Sequence, residues 1–585
     1  MLFYGDQVRM EDARAKLAGI ARGLRDAEAM PAGIARHGAL VAAFIEAGEL
    51  AQGVADAAFD ANGGRDARSP AGDAATALLT RLAAAVRLSW GSAFARFDPV
   101  RVEAAFDAAP PLPETLRTKR AEGFAFYALY PEAYLEAAQA AGFPLGSRVR
   151  VVGIRSIGVA LGALVAAASE APPPVTLRPV GHPFRRELSL SQGLEAELLA
   201  DPPTAFAVAD EGPGLSGSSF GAVADFLEDR GVPPGRIHFF PSHGGEPGPR
   251  AAPRHRARWA GAHRHVVGFD ALAGHRLPSW VEDLVGAPVG PLEELSGGAW
   301  RRLRYPREAG WPPVNAQAER RKFLLRACGG GTWLLKFAGL GREGERKLER
   351  ARALHSAGLS PAVAGFRHGF LVEEWVGDAR PFHRGAHDAA RLAERVGRYL
   401  GFRARCFPAG AGQGATLAAL RRMARHNVGE GMGEEWARRL EERTAGLESF
   451  EPRLRRIETD NRLHAWEWLP LPDGRLLKAD ALDHHAAHDL VGCQDVAWDV
   501  AGAVCELGLE EDRGALLAAV AREAGRAVEP GLVRALTPCY LAFQLGACVM
   551  AAQVAAPEEA ARLRADTERY AALLRRALGD GEVPG

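Results

Sequence analysis

Between residues 148 and 240 short apolar runs alternate with amphipathic ones, and this alternation limits the fold more than any other feature. RVRVVGI reads as a strand, VALGALVAAAS as a helix, VTLRPVG as a strand and LSQGLEAELLA as a helix. TAFAVAD is again a strand, FGAVADFLEDRG a helix and GRIHFFPS a strand. Parallel neighbours need a long crossover, so this order predicts a parallel sheet covered by helices, with ligands at the carboxyl ends of the strands. The basic run that follows, RAAPRHRARWAGAHRH, reads as a solvated connector.

At 585 residues the chain exceeds what one core can organise. The expected architecture is multidomain α/β and α+β: a helical region over 1–115, a parallel-sheet domain over 116–275 and a third unit over 276–585. The boundary near 275–300 falls in GAPVGPLEELSGG. Lys+Arg and Asp+Glu balance at 72 each, which argues against nucleic acid or an anionic membrane as partner. The six cysteines include no CxxC pair, so neither a zinc site of that type nor a disulfide framework is expected. The N-terminus carries charges where a signal peptide needs an apolar run, and VRVVGIRSIGVALGALVAAA holds Arg155. A cytoplasmic protein with small-molecule substrates is the expectation, and a homodimer is compatible with it.

In the N-terminal region 35–56 and 74–90 are the clearest helices. His37, Glu46, Glu49 and Asp56 lack a metal-ligand spacing and read as the polar face of a helical domain. The segment 119–142 is unusually aromatic, with Phe124, Phe126, Tyr127, Tyr130 and Tyr134; core packing and a stacking wall for a flat substrate both fit.

The stretch VADEGPGLSGSSF carries the chemistry of the parallel sheet. A Gly/Ser loop before a helix forms an anion nest, and the preceding Asp210 and Glu211 suit sugar hydroxyls or a hydrated magnesium ion. The stretch resembles the 5-phosphoribosyl 1-diphosphate (PRPP) loop of type I phosphoribosyltransferases. That resemblance implies that Asp210 and Glu211 take the ribose, and that Ser216, Gly217, Ser218 and Ser219 take its 5-phosphate. SGSS stands where TGGT is usual, in a loop one residue longer. IRSIG, with Arg155, Ser156 and Gly158, is similar to the family's pyrophosphate loop. LRPVGHPFRRELSLSQ stands where a mobile catalytic loop is expected, with Arg178, Arg185 and Arg186 as basic residues for the diphosphate and Arg185 as a catalytic candidate. His243, in FFPSHGGEPG, reads as a solvent-facing loop residue placed where an acceptor would approach.

The C-terminal half has its own order. WLLKFAG carries Lys336, a Glu-rich helix follows, then the strand FLVEEWVG, the loop IETDNRL, a hairpin ending in Asp480, and AWDVAGA with Asp499. This order resembles the aminoglycoside and choline phosphotransferase type of small-molecule kinase, with an N-lobe over about 295–376 and a C-lobe over about 385–585. The resemblance implies that Lys336 holds ATP phosphates and that Glu345 or Glu349 pairs with it. Asp460 becomes the catalytic residue, Asp480, Asn461 and Asp483 the metal ligands, and Asp499 the support of the catalytic loop. The family's HGDxxxxN loop is not matched by ETDNRLHAWEW. The cluster Asp480, Asp483, His484, His485, His488, Asp489 and Asp495 reads as a polar active-site floor, with a transition-metal site as the alternative. The expectation is a magnesium-dependent phosphoribosyltransferase using PRPP, joined to a kinase-like ATP-binding unit; the alternatives are a small-molecule kinase with a ribose-phosphate-sensing domain, or a non-catalytic nucleotide-binding scaffold.

Overall fold

The computed structural model describes residues 8–102, 106, 111–144, 148–200, 203–383, 385, 387–486 and 491–579. The chain opens with β1 (Val8–Asp12), which pairs antiparallel with β2 (Thr115–Lys119) in the register Val8↔Lys119 to Asp12↔Thr115. Three helices fill the interval, Ala13–Ala29, Ile34–Ala61 and Pro70–Gly91. Their starts follow local chemistry: the Asp12 carboxylate accepts from Ala15 N at 2.7 Å, and Ser69 Oγ accepts from Gly72 N at 3.1 Å with Pro70 in the first turn.

The predicted parallel sheet is present. It consists of β3 (Val149–Ile154), β4 (Val175–Leu177), β7 (Ala205–Ala209), β8 (Ile237–Phe240) and β9 (His263–Arg264), in the order β4-β3-β7-β8-β9 and parallel throughout. Between β4 and β7 a hairpin, β5 (Val180–His182) and β6 (Arg185–Glu187), stands apart as its own two-stranded ribbon. The topological switch lies between β3 and β7, whose following loops hold Arg155–Ser156 and Asp210–Glu211. The basic run 250–265 is not a loose connector. It forms the helix Pro253–Gly261 and the fifth strand, because Trp259 buries against Phe220 and Phe239 while Arg258 pairs outward with Asp225 and Glu228.

The helix Gly158–Ala168 is buried on all sides, as an all-apolar helix must be, between the sheet and the N-terminal helices. Glycines permit its close approach. A Cβ on Gly153 would lie 2.2 Å from the Gly158 carbonyl oxygen, and one on Gly158 would lie 2.6 Å from the Ala209 carbonyl oxygen.

A second sheet is antiparallel, with the order β10 (Glu293–Glu294), β11 (Lys322–Arg326), β12 (Thr332–Phe337), β14 (Phe370–Glu374) and β13 (Val363–Arg367). The helix Arg342–Ser356 follows β12, and residues beyond Glu374 lead into the helices Ala389–Cys406, Leu417–Met432, Glu434–Arg443, Val496–Leu507, Arg513–Ala524, Pro530–Val554 and Pro557–Gly579. A short antiparallel hairpin, Trp468–Pro470 with Leu476–Lys478, lies between the sheet and these helices.

One core contains Leu40 and Leu82 of the N-terminal helices, Val151 and Ala207 of the parallel sheet, and Leu335, Phe337 and Phe370 of the antiparallel sheet. Val152, Phe206 and Val208 point to the opposite face and a separate core, as the two-residue period of a strand requires. A third large core organises the C-terminal helices around Trp498 and Tyr540. Phe124, Phe126, Tyr130 and Tyr134 are buried, so core packing describes the aromatic segment except for the exposed Tyr127. Two helices, Ile34–Ala61 and Pro530–Val554, are long and apolar enough to span a bilayer, and the larger part of each apolar stretch is buried within the fold.

The glycine approach sets a test. Gly153→Ala forces a methyl group into backbone that cannot yield locally, so stability should fall by at least about 1–3 kcal/mol, read as a lower midpoint in urea or thermal unfolding. An unchanged midpoint would refute this packing.

Candidate functional site

Two clefts carry convergent polar groups. The first is a cavity of about 510 Å³ between the antiparallel sheet, the hairpin and the C-terminal helices. Lys336 lies on β12 and forms an ion pair with Asp480, which follows the hairpin at a positive φ of 51°. Burial works against the Lys336 ammonium, but Asp480 and Asp483 more than offset it and hold its pKa above the usual value. Asp483 also meets Lys347 at 3.0 Å and Arg320 at 3.5 Å. Glu373, on β14, is pushed up to about 7 by burial, with Lys336 working the other way. The pairing of Lys336 with Glu345 or Glu349 is not what the structure holds. Glu343 and Lys347, four residues apart, share the inward face of the helix Arg342–Ser356, whereas Glu345 and Glu349 are exposed.

The loop before the hairpin is built on Asp499. Its two carboxylate oxygens accept from Asp460 N at 2.8 Å and Asn461 N at 2.9 Å. Burial, reinforced by the charge of Asp460, pushes the Asp499 carboxyl up to about 6. The loop support expected of Asp499 is thus its observed contact. Asp460 itself turns inward. Its carboxylate accepts from Tyr399 Oη at 2.5 Å and lies 3.3 Å from Lys478 Nζ and 3.2 Å from His484 Nδ1. Burial opposes its ionisation, but Lys478 and His484 outweigh that and hold it well below the usual carboxylate range. Neither Asp460 nor Asn461 lines the cavity; Arg462 and His464 do. Asn461 donates through Nδ2 to the carbonyls of Gly492 (3.1 Å) and His484 (3.3 Å), while its Oδ1, the atom a metal would take, is buried without a hydrogen-bond partner.

Glu467 was not foreseen. It ends the short turn before the hairpin, binds Lys478 at 2.7 Å, and offers a ligand atom within 4.8 Å of those of Asp480 and His484. The signal for it was the hairpin register, which pairs Trp468 with Lys478 and so brings the residue before Trp468 to the end of the second strand. Two carboxylates at the cavity wall are the hard oxygen donors magnesium prefers, so Glu467 and Asp480 fit that ion; Asp483 is held by Lys347 and Arg320. Of the remaining cluster, His485 is buried near Arg350, Asp495 caps the helix Val496–Leu507 through Ala497 N at 3.0 Å, and His488 and Asp489 lie outside the described residues.

The second cleft, of about 530 Å³, opens at the carboxyl end of β7 and is lined by Tyr127, Tyr130, Glu211, Gly212, Ser242 and His243 among others. Tyr134 Oη donates to the Asp210 carbonyl at 2.8 Å, and Ser242 N to the Glu211 carbonyl at 2.8 Å, which fixes the acidic pair. Burial pushes Asp210 up to about 8, against a backbone N–H bond from Glu211; burial and the charge of Glu122 push Glu211 to about 7. His243 faces this cleft rather than solvent alone, because Gly212 has no side chain: a Cβ there would come within 2.8 Å of His243 Nε2.

The other residues expected at this cleft are differently engaged. Arg155 is buried and paired with Asp66 and with Asp56 at 3.2 Å, so its guanidinium neutralises two aspartates of the N-terminal region instead of facing a ligand. Arg178 also binds Asp56, at 2.6 Å through Nε. Ser156 is half-buried at the turn, and Gly158 begins the buried helix. The Ser216 and Ser218 hydroxyls bond each other at 2.9 Å, and Ser218 Oγ donates to the Pro183 carbonyl at 3.0 Å. Gly217 caps the helix Ser218–Glu228 at a φ of 64°, and Ser219 is half-buried beside it. Arg185 is exposed on the hairpin and Arg186 bonds the Gly181 carbonyl at 3.1 Å.

No protein-family model matches the chain, and no curated protein matches it in sequence. Among solved structures it is similar to the choline kinase LicA from Streptococcus pneumoniae, at TM-score 0.31 and 13% identity over 52% of this chain and 97% of that one. It is also similar to the macrolide 2'-phosphotransferase MphH from Brachybacterium faecium, at TM-score 0.31 and 18% identity over 52% and 99% of the two chains. A Plasmodium vivax ethanolamine kinase gives 0.30 and 9% over 48% and 87%. At scores this low, function has to be read from the residues.

Two carboxylates should respond oppositely to neutralisation. Asp460→Asn removes a charge that balances Lys478, and stability should drop by about 1–3 kcal/mol at pH 7. Asp210 has a folded pKa above its unfolded one, so the folded state holds the extra proton and stability declines as pH rises from about 4 to 8. Asp210→Asn should therefore raise the melting temperature by a few degrees at pH 8 and leave it unchanged near pH 3. The effect is modest because the side chain is only half-buried. Thermal melts across pH check both.

Proposed function

We propose that the chain is a nucleotide-dependent small-molecule phosphotransferase whose chemistry is done in the cleft of Lys336 and Asp480. The observation that carries this reading is the ion pair between a buried strand lysine and a hairpin aspartate, beside Glu467 and Asp483, at the wall of a 510 Å³ cavity. Phosphoryl transfer asks little covalent chemistry of a protein; it needs positioning and neutralisation of phosphate charge.

Lys336 is held charged and points where a nucleotide's phosphates would lie, and those phosphates take over from Asp480 as its partner. Asp480, released, and Glu467 would hold magnesium, which when bound supplies charge neutralisation at the phosphate oxygens. Lys347 and Arg320 keep Asp483 in place. Trp300, Tyr305, Trp375 and Trp466 line the same cavity, giving flat apolar walls for a base or an acceptor and excluding water. Asp460 acts here as a positioning residue, orienting Lys478 and His484.

The second cleft favours a second reading for the other half of the chain, a ribose-phosphate site of the PRPP type. It is supported by the acidic pair at the switch point of a parallel sheet, next to a glycine-capped helix. Asp210 and Glu211 would take ribose hydroxyls, with the loop 212–219 on the phosphate. For the serine hydroxyls to take part, Pro183 must move away with its hairpin.

ADP release measured over a panel of small amines and alcohols should reveal turnover in the wild type. Lys336→Ala and Asp480→Asn should each reduce it at least ~100-fold, while Asp210→Asn combined with Glu211→Gln leaves it near wild type. Retained turnover in Lys336→Ala would defeat the first reading. For the second, PRPP binding measured by calorimetry should vanish in the Asp210/Glu211 double variant and persist in Lys336→Ala.

A further inference from the structure

A polar island lies where the N-terminal helices, the helix Pro131–Ala140 and the antiparallel sheet meet. It consists of His37 from the helix Ile34–Ala61, Glu132 from the first turn of Pro131–Ala140, and His368 from the turn between β13 and β14. All three side chains are fully removed from solvent. The rings of Trp90, Phe94, Tyr130 and Trp280 pack around the two imidazoles, so the surroundings are otherwise apolar.

The three groups converge on one point. His37 Nε2 is 2.7 Å from Glu132 Oε1, and His368 Nε2 is 3.3 Å from the same oxygen. One ligand atom from each residue lies within 4.8 Å of the other two. The imidazole rings stand 5.1 Å apart at 64°, leaving both nitrogens directed at the carboxylate without stacking.

Hydrogen bonding accounts for only part of the arrangement, the 2.7 Å contact between His37 Nε2 and Glu132 Oε1. Glu132 Oε2 and both ring nitrogens of His368 have no hydrogen-bond partner, and the 3.3 Å contact is not aligned as one. Buried polar atoms are normally satisfied, and an ionised carboxylate in a dry interior is costly unless a cation neutralises it. The ring positions are fixed from outside the cluster: Ser89 Oγ lies 2.9 Å from His37 Nδ1, and Tyr130 Oη donates to the His368 carbonyl at 2.9 Å. Such outer partners are what orients metal-binding histidines.

We propose that His37, Glu132 and His368 bind a divalent transition-metal ion, zinc by its ligand chemistry, as a structural staple between the N-terminal helices and the antiparallel sheet. Tetrahedral zinc with Zn–N and Zn–O bonds of about 2.0–2.2 Å separates its ligand atoms by about 3.3 Å. The His368–Glu132 separation already has that value, and the His37–Glu132 separation needs to open by about half an ångström. Imidazole with one carboxylate suits zinc and its neighbours over magnesium. The second oxygen of Glu132 has no hydrogen-bond partner and is free to join the coordination. The site is closed, so its role is to hold three parts of the chain together.

The test is metal content of the full-length protein purified from zinc-supplemented cells. About one zinc per chain is expected by mass spectrometry, and growth in cobalt should give visible absorption bands of a low-symmetry Co(II) site. Glu132→Gln and His368→Gln, each verified as folded by circular dichroism, should lose the metal and melt at lower temperature. His484→Gln, which disrupts the other His/carboxylate group, should retain it. Wild-type protein that takes up neither zinc nor cobalt overturns the proposal. So does full metal content in the two folded variants, or loss of metal only in His484→Gln. Should one variant fail to fold, the other and the cobalt spectrum decide.

Discussion

Asp499 is the contact on which the C-terminal cleft depends. A buried carboxylate on a core helix accepts the two successive backbone N–H groups of Asp460 and Asn461, and this fixes a loop that passes through a positive φ at Asn461. With the backbone so held, Asp460 has one direction to face, inward to Tyr399, Lys478 and His484. His484 in turn lies 3.7 Å from Asp480, and Asp480 meets Lys336 on the sheet. From Asp460 onward, groups of alternating sign thus run to the antiparallel sheet. Each would be costly to bury alone, and each is paired. The cleft is a by-product of that alternation, since the last pair sits where sheet and helices part.

Much of the scaffold was legible in the sequence because strands and helices there differ in period and length. RVRVVGI, TAFAVAD and GRIHFFPS are short apolar runs between helical segments, and they became β3, β7 and β8. The acidic pair was legible for the same reason: it ends a strand at the switch of a parallel sheet. What could not be read was partnership across distance. Arg155 sits in a glycine-rich turn that invites an anion, yet Asp56 from a helix and Asp66 from the loop after it, about ninety residues earlier, occupy it. Glu345 and Glu349 are the right residue type on the right helix but on its solvent side, a matter of rotation by half a turn. The basic segment 250–265 misled through its charge, since one tryptophan was enough to fold it onto the sheet.

The grouping of His37 with other polar residues of its own helix also failed for want of tertiary information. His37 and Glu46 share a helix, but their partners come from different places. Glu46 meets Lys16 at 2.8 Å in a network of ion pairs near the first strand, while His37 turns to Glu132 and His368. Helical spacing tells which residues share a face; it does not tell which neighbour that face will meet.

The shared core has a consequence for how the chain can be taken apart. The Gly/Pro-rich stretch near 275–300 looks like a seam, yet Leu335, Phe337 and Phe370 beyond it pack with Leu40, Leu82 and Val151 before it. Cutting there would turn this shared interior into an exposed apolar face on each fragment. Either fragment studied alone would report on its own stickiness before it reported on chemistry. The two clefts are therefore joined through a common core and not only through a linker.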